Sequence, residues 1–224
     1  MSNYFLLTLD TTGPSNPTFV IEGGAAFSND VFVNCAINTG DGTKTGYQMK
    51  IWGEVDATNE ATIQPTEAES TWITYQSTKQ VKLSSTDGPK TLYLKLRDDV
   101  QNESAQVSDS ITLDTTKPIV TISGPDVSKV SKKSGKDVAA FSFMSDQAFA
   151  EYKVKVVSST GAAHDTGTQI STANGSTNMF GTTGAADTSI NCSINGADLE
   201  TASAGDGEKI IKVFVKDSAG NWSV

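Results

Sequence analysis

The sequence predicts an all-β protein built as two tandem β-sandwiches. Three observations carry that prediction: an internal repeat, a two-residue hydrophobic period inside the repeated segments, and turn chemistry between them. Leu9-Asp10-Thr11-Thr12-Gly13-Pro14 returns as Leu113-Asp114-Thr115-Thr116-Lys117-Pro118, 104 residues later. Tyr47-Gln48-Met49-Lys50-Ile51 returns as Tyr152-Lys153-Val154-Lys155-Val156 at a spacing of 105. The stretch from Asp87-Gly88-Pro89-Lys90 to Leu96-Arg97-Asp98 matches Asp206-Gly207-Glu208-Lys209 to Val215-Lys216-Asp217 at 119. The tails agree as well, Asn102-Glu103-Ser104 against Asn221-Trp222-Ser223. The difference between 119 and 105 places 14 extra residues in the second copy, between Tyr152 and Asp206.

Each strand follows from its period. Leu92, Leu94 and Leu96 alternate with polar residues, as do their counterparts Ile211, Val213 and Val215. Tyr47/Met49/Ile51 and Tyr152/Val154/Val156 do the same. A period of two over five to seven residues puts one face of a strand against a core. In chain order, the remaining strands are expected at 19–21, 31–37, 111–113, 120–122, 141–144 and 190–194. Thr39-Gly40-Asp41-Gly42, Thr86-Asp87-Gly88-Pro89 and Ala204-Gly205-Asp206-Gly207 supply the positive φ and local hydrogen bonds of turns. No segment shows a helix-length apolar period. Short strands separated by turns, in units of about 100 residues, indicate sandwiches.

Asp-Thr-Thr-x-Pro opening a unit, with Asp217-Ser218-Ala219-Gly220-Asn221-Trp222-Ser223 closing one, resembles the bacterial-type immunoglobulin-like repeat. The first unit closes differently: Asp98-Asp99-Val100-Gln101-Asn102-Glu103-Ser104 keeps the first Asp and the Asn but lacks the Gly. The resemblance implies two immunoglobulin-like domains, 13–114 and 115–224, with a Gly/Ser/Thr-rich insertion near 158–189 and an N-terminal strand within 1–12. Such repeats occur in bacterial surface adhesins and in bacteriophage virion proteins, as spacers, decorations or adhesive modules. What transfers from a resemblance of this kind is architecture, not activity.

Charge narrows the partners. Seventeen Lys+Arg against 26 Asp+Glu give a net charge of −9, and no basic block is present. Polyphosphate recognition needs clustered cations, so nucleic acid is not an expected partner. No run approaches the ~18 apolar residues of a membrane span, so membrane insertion is not expected. The first ten residues, Met1 to Asp10, lack the basic residues and small-residue cleavage site of a secretory signal. That start fits assembly in a host cytoplasm into a virion; an extracellular or cell-surface location is the alternative.

Candidate chemistry is sparse. His164 is the only histidine, with no second histidine or nearby cysteine to make a metal site or catalytic pair, and is expected on an exposed loop. Cys35 alternates with Val33 and Ile37, and Cys192 with Ile190 and Ile194, so both thiols are expected in cores, unbridged. Asp98, Asp99, Asp109 and Asp114 gather near the junction of the units, but no Asp-x-Asp-x-Asp-Gly calcium loop is present; solvated turns and an Asx turn account for them. Trp52, Trp72 and Tyr75 are a candidate stacking platform, with cover by the loop 56–70 as the competing expectation. The insertion carries one bulky pair, Met179-Phe180, and is either decoration or a binding tip. No catalytic residue, cofactor or metal is expected.

The ends of the copies do not match. Gln106 to Leu113 follows the Asn102-Glu103-Ser104 turn as a closing strand, whereas only Val224 follows Ser223. The segment Tyr4 to Leu9 is a strand of the closing type, Leu7 and Leu9 matching Ile111 and Leu113 at 104 residues. It is expected either to pair within its own chain or to complete the second domain of a neighbouring subunit. The function these features favour is a non-enzymatic virion structural protein of capsid, neck or tail. Its partners would be other virion proteins and copies of itself. The alternative is a module that binds host-surface carbohydrate.

Overall fold

The computed structural model describes residues 4–224; Met1, Ser2 and Asn3, on which part of the signal-free reading falls, lie outside the described residues. The chain divides between Thr115 and Thr116 into two compact units. Both are immunoglobulin-like β-sandwiches.

The first unit contains β1 (Thr18–Ile21), β2 (Phe27–Ser28), β3 (Phe32–Asn38), β4 (Gln48–Gly53), β5 (Ile73–Thr74), β6 (Thr78–Lys82), β7 (Gly88–Arg97) and β8 (Val107–Leu113). One sheet has the order β1-β3-β6 and the other β2-β8-β7-β4-β5. A 3-10 turn at Glu22–Gly24 separates β1 from β2, so the chain changes sheets there and β2 runs parallel to β8. Alternation does the rest. Phe19, Ile21, Val33, Cys35, Ile37 and Val81 from the first sheet meet Met49, Ile51, Leu92, Leu94, Leu96, Ile111 and Leu113 from the second in one core. The closing strand β8 lies along β7, with Leu94 opposite Val107 and Gly88 opposite Leu113. Its Asp109 carboxylate accepts the Ile21 amide at 2.8 Å, tying the two sheets together at that side.

The second unit contains β9 (Val120–Ser123), β10 (Val138–Ser145), β11 (Glu151–Val157), β12 (Thr168–Gln169), β13 (Phe180–Gly181), β14 (Ile190–Asn195), α1 (Gly196–Ala202) and β15 (Ile210–Lys216). Here the sheets are β14-β10-β9 and a second one centred on β11. β15 runs the length of one edge of β11, from Glu151 opposite Lys216 to Val157 opposite Ile210, while β12 and β13 share the other. A separate core gathers Phe141, Phe143, Tyr152, Val154, Val156, Cys192, Ile194, Val213 and Val215, joined by Ile170 and Met179 from the insertion.

The repeated closing signature has a physical basis. Asp98 accepts the Asn102 amide at 2.8 Å and Asn102 Nδ2 at 2.9 Å; Asp217 accepts the same two groups of Asn221 at 2.8 and 2.9 Å. Two residues on, Ser104 Oγ accepts the Leu96 amide and Ser223 Oγ the Val215 amide, both at 3.0 Å. The turn needs one residue at positive φ: Gly220 at 100° in the second unit, Gln101 at 70° in the first. A side chain there costs about 1 kcal/mol, so Gln101→Gly should stabilise the first unit by roughly that amount in a denaturant melt.

Several elements depart from expectation. β6 carries a single buried apolar residue, Val81, between Lys79 and Lys82, which pair with Glu60 and Asp56 at 2.9 Å each, so it shows little periodicity. The helix α1 is about two turns long, its start set by Asn195, whose side chain accepts the Ala197 amide at 2.8 Å. The expected N-terminal strand makes no ladder among the described residues: Tyr4, Phe5, Leu6, Leu7 and Leu9 are all exposed.

Candidate interaction surface

Most residues that could carry chemistry are engaged in the fold. Cys35 and Cys192 are buried and unbridged, one in each core. Burial pushes the Cys35 thiol up to about 12, with the nearby Glu22 and Asp109 charges adding to the rise. Burial alone lifts Cys192 to about 11. Neither forms a thiolate at neutral pH, so a disulfide reagent at pH 8 should label neither within minutes in the folded protein and both in denaturant. Rapid labelling of the folded chain would contradict this.

His164 is half-buried instead of exposed. Its ring stacks on Trp222, with centroids 4.5 Å apart and planes 8° from parallel. Its carbonyl accepts Lys155 Nζ at 2.9 Å, while Lys212 Nζ donates to the Thr160 and Ala162 carbonyls at 2.8 and 2.9 Å. These bonds fold the first part of the insertion over the outer face of β11 and β15. The Trp222 ring also receives the ammonium groups of Lys153 and Lys216 at 4.7 and 5.3 Å, and both lysines pair with Glu151.

The first unit repeats this theme from different segments. Trp72 lies under Lys50 and Arg97 at 4.9 and 4.5 Å, each close enough for a cation–π contact. Trp52 is buried, stacked on Tyr93 at 5.7 Å and bridged to Gln64, so the loop after β4 covers it. Tyr75 turns inward and donates to the Ile37 carbonyl at 3.0 Å. The three aromatic residues therefore do not form one open platform. A shallow depression lined by Val55, Asp56, Glu60, Ile63 and Lys82 has room for no more than about one water molecule, far short of the usual ligand pocket of about 300 Å³ or more.

The carboxylates expected to gather at the junction have separate duties. Asp98 holds its turn, Asp109 holds the Ile21 amide, and Asp99 is exposed. Among the described residues no group of three or more His, Cys, Asp or Glu side chains could hold a metal ion. The insertion proves partly structural: Met179 and Ile170 are fully buried, and Gln169 Nε2 donates to the carbonyls of Val154, Ile170 and Met179. Phe180, the other half of the bulky pair, stays exposed.

What distinguishes the second unit is its open side. In the first unit the Leu96 amide donates to Ser104 Oγ and the Leu96 carbonyl accepts the Ser104 amide, both on the side away from β4, so Leu94 and Leu92 point their amides the same way, into β8. In the second unit Val215 makes the matching bonds with Ser223, which directs the Val213 and Ile211 amides away from β11. Among the described residues no strand lies on that side of β15. The cost of the gap is visible in the facing sheet. Ile21 in β1 is 1 % exposed, whereas Ile122, opposite the buried Phe143 on the core-facing side of β9, is 46 % exposed.

No family model matches the sequence, and no curated protein matches it. Among solved structures the chain is similar to the fibronectin(III)-like modules of Clostridium thermocellum CbhA, at 10% identity and a TM-score of 0.45, over 92% of this chain and 90% of that one. It is also similar to a chitinase from Bacillus thuringiensis, at 13% identity and a TM-score of 0.30, over 92% of this chain and 30% of that one.

Proposed function

We propose that this protein is a non-catalytic structural component of a bacteriophage particle, decorating or linking capsid, neck or tail through contacts with other virion proteins. The observation that carries this reading is the pairing of an open sheet edge on β15 with an exposed apolar segment at 4–9, both suited to main-chain recognition between proteins. The groups most suited to chemistry support it from the other direction, because the thiols are buried and the lone histidine is stacked on Trp222. A net charge of −9 disfavours a polyanionic partner and leaves protein surfaces as the natural target.

The exposed Phe180 on the insertion favours a second reading, a module that stacks on host-surface carbohydrate. Mass spectrometry of purified particles tests the first reading, which expects the protein at stoichiometric abundance. Its absence from particles, together with binding on a glycan array that Phe180→Ala abolishes, would replace the first reading with the second.

A further inference from the structure

We infer that the segment Tyr4–Leu9 of one copy is the closing strand of the second unit of another copy, so that the protein assembles head to tail by strand donation. This rests on the reading of the protein as an assembly component, and it names the partner: a second copy of this chain.

Three observations identify the occupant. The first is sequence register. Leu9-Asp10-Thr11-Thr12 repeats Leu113-Asp114-Thr115-Thr116, and Ile111 and Leu113, the residues matching Leu7 and Leu9, are buried core residues of the first unit. The strand that fills this position once in the chain therefore has a near-copy that fills nothing. The second is exposure: Phe5, Leu7 and Leu9 are 84 %, 86 % and 86 % exposed, an arrangement water opposes at every second residue. The third is the shape of the vacancy. The unpaired Ile211 and Val213 amides line it, and the core-facing Ile122 is uncovered.

The β7–β8 ladder sets the donated register. Gly88 opposite Leu113, Lys90 opposite Ile111 and Leu92 opposite Asp109 translate to Gly207 opposite Leu9, Lys209 opposite Leu7 and Ile211 opposite Phe5. Phe5, Leu7 and Leu9 then point inward, because they share a face, while Tyr4, Leu6 and Thr8 point outward. One substitution in the repeat supports the fit. Where β8 carries Asp109 to hold the Ile21 amide, the segment carries Phe5, an apolar side chain suited to cover Ile122. Asp10 to Thr12 then leads from the donated strand into the first unit of the donor, as Asp114 to Thr116 leads from β8 into the second unit within one chain. Donation of this kind is heterologous, so it closes into rings or extends as filaments instead of stopping at a two-fold dimer.

Sedimentation velocity on the full chain, from about 1 to 100 μM, tests this. Wild type should gain mass with concentration in steps of one chain. A Leu7→Asp/Leu9→Asp variant alters only exposed residues, so its circular dichroism and melting should match dilute wild type, yet its self-association should fall at least about 100-fold, since two charges would enter a core. A synthetic peptide of residues 4–12 should bind that variant at one per chain. A wild type that stays monomeric, including one whose segment pairs with its own β15, or a variant that assembles as wild type does, would overturn the inference. Neither result bears on whether the protein is found in particles, so the proposed function is tested separately.

Discussion

Asp198→Ala is expected to destabilise the second unit by about 3–4 kcal/mol, the largest effect of any single carboxylate. Asp198 is completely buried at the start of α1. It accepts the Asn174 amide at 3.0 Å, Asn174 Nδ2 at 2.9 Å and the Ser176 amide at 3.0 Å. Ser176 in turn accepts the Asn195 amide at 2.8 Å through its hydroxyl. One carboxylate thus pins Asn174 and Ser176, in the middle of the insertion, to the start of α1 where β14 ends. Truncation leaves three donors without an acceptor, each worth about 1–3 kcal/mol when buried and unmet, with losses that do not add fully. The pH dependence carries a sign. Burial by itself would push the Asp198 carboxyl up, but the donated N–H groups outweigh it and hold the group below its ordinary value. A lowered folded pKa stabilises above the ordinary carboxylate range and loses that contribution as pH falls through the folded value. The gap between wild type and variant should therefore be full at pH 7 and shrink in acid. A denaturant melt followed by Trp222 fluorescence reads both effects.

Gly53→Ala should destabilise the first unit by about 3 kcal/mol. Gly53 ends β4 with φ at 132°, a conformation that costs an L side chain about 1–3 kcal/mol. Space is also lacking. A Cβ at this position would lie 2.3 Å from the Thr91 carbonyl oxygen, which is backbone in the central strand β7 and cannot swing away. The same carbonyl accepts the Glu54 amide at 3.1 Å, and Gly53 itself donates to the Gln64 carbonyl at 3.3 Å. Any shift that relieves the clash loosens the loop covering Trp52, so the variant should show a red-shifted tryptophan emission along with its lower melting midpoint. An unfolding free energy within about 0.5 kcal/mol of wild type would contradict the packing described here.

The parts of the fold visible in the sequence are those in which one residue does one job in both copies. Leu92, Leu94 and Leu96 match Ile211, Val213 and Val215 because each triplet lines a core, and Asp98 and Asp217 match because each holds an asparagine four residues on. The parts that stayed hidden depend on contacts distant in sequence. The expected cover of Trp52 by the loop 56–70 is present through Gln64, whereas the Tyr93 ring stacked on it is not legible from the Trp52 strand itself. His164 reads as a loop residue because nothing local announces a Trp222 stacked on it 58 positions later. The two-residue strands β2, β5, β12 and β13 are too short to carry any period. The match of Leu9-Asp10-Thr11-Thr12 to Leu113-Asp114-Thr115-Thr116 is legible in the sequence in the same way, although only the later copy follows a strand, β8.

Amide hydrogen exchange, followed residue by residue across a dilution series, probes the open side of β15 most directly. At low concentration Ile211 and Val213 should exchange at least about 100-fold faster than their counterparts Leu92 and Leu94, which donate into β8. Raising the concentration should slow Ile211 and Val213 toward the rates of that pair as neighbouring copies supply the missing strand. Exchange at Ile211 and Val213 that does not change with concentration would contradict the account.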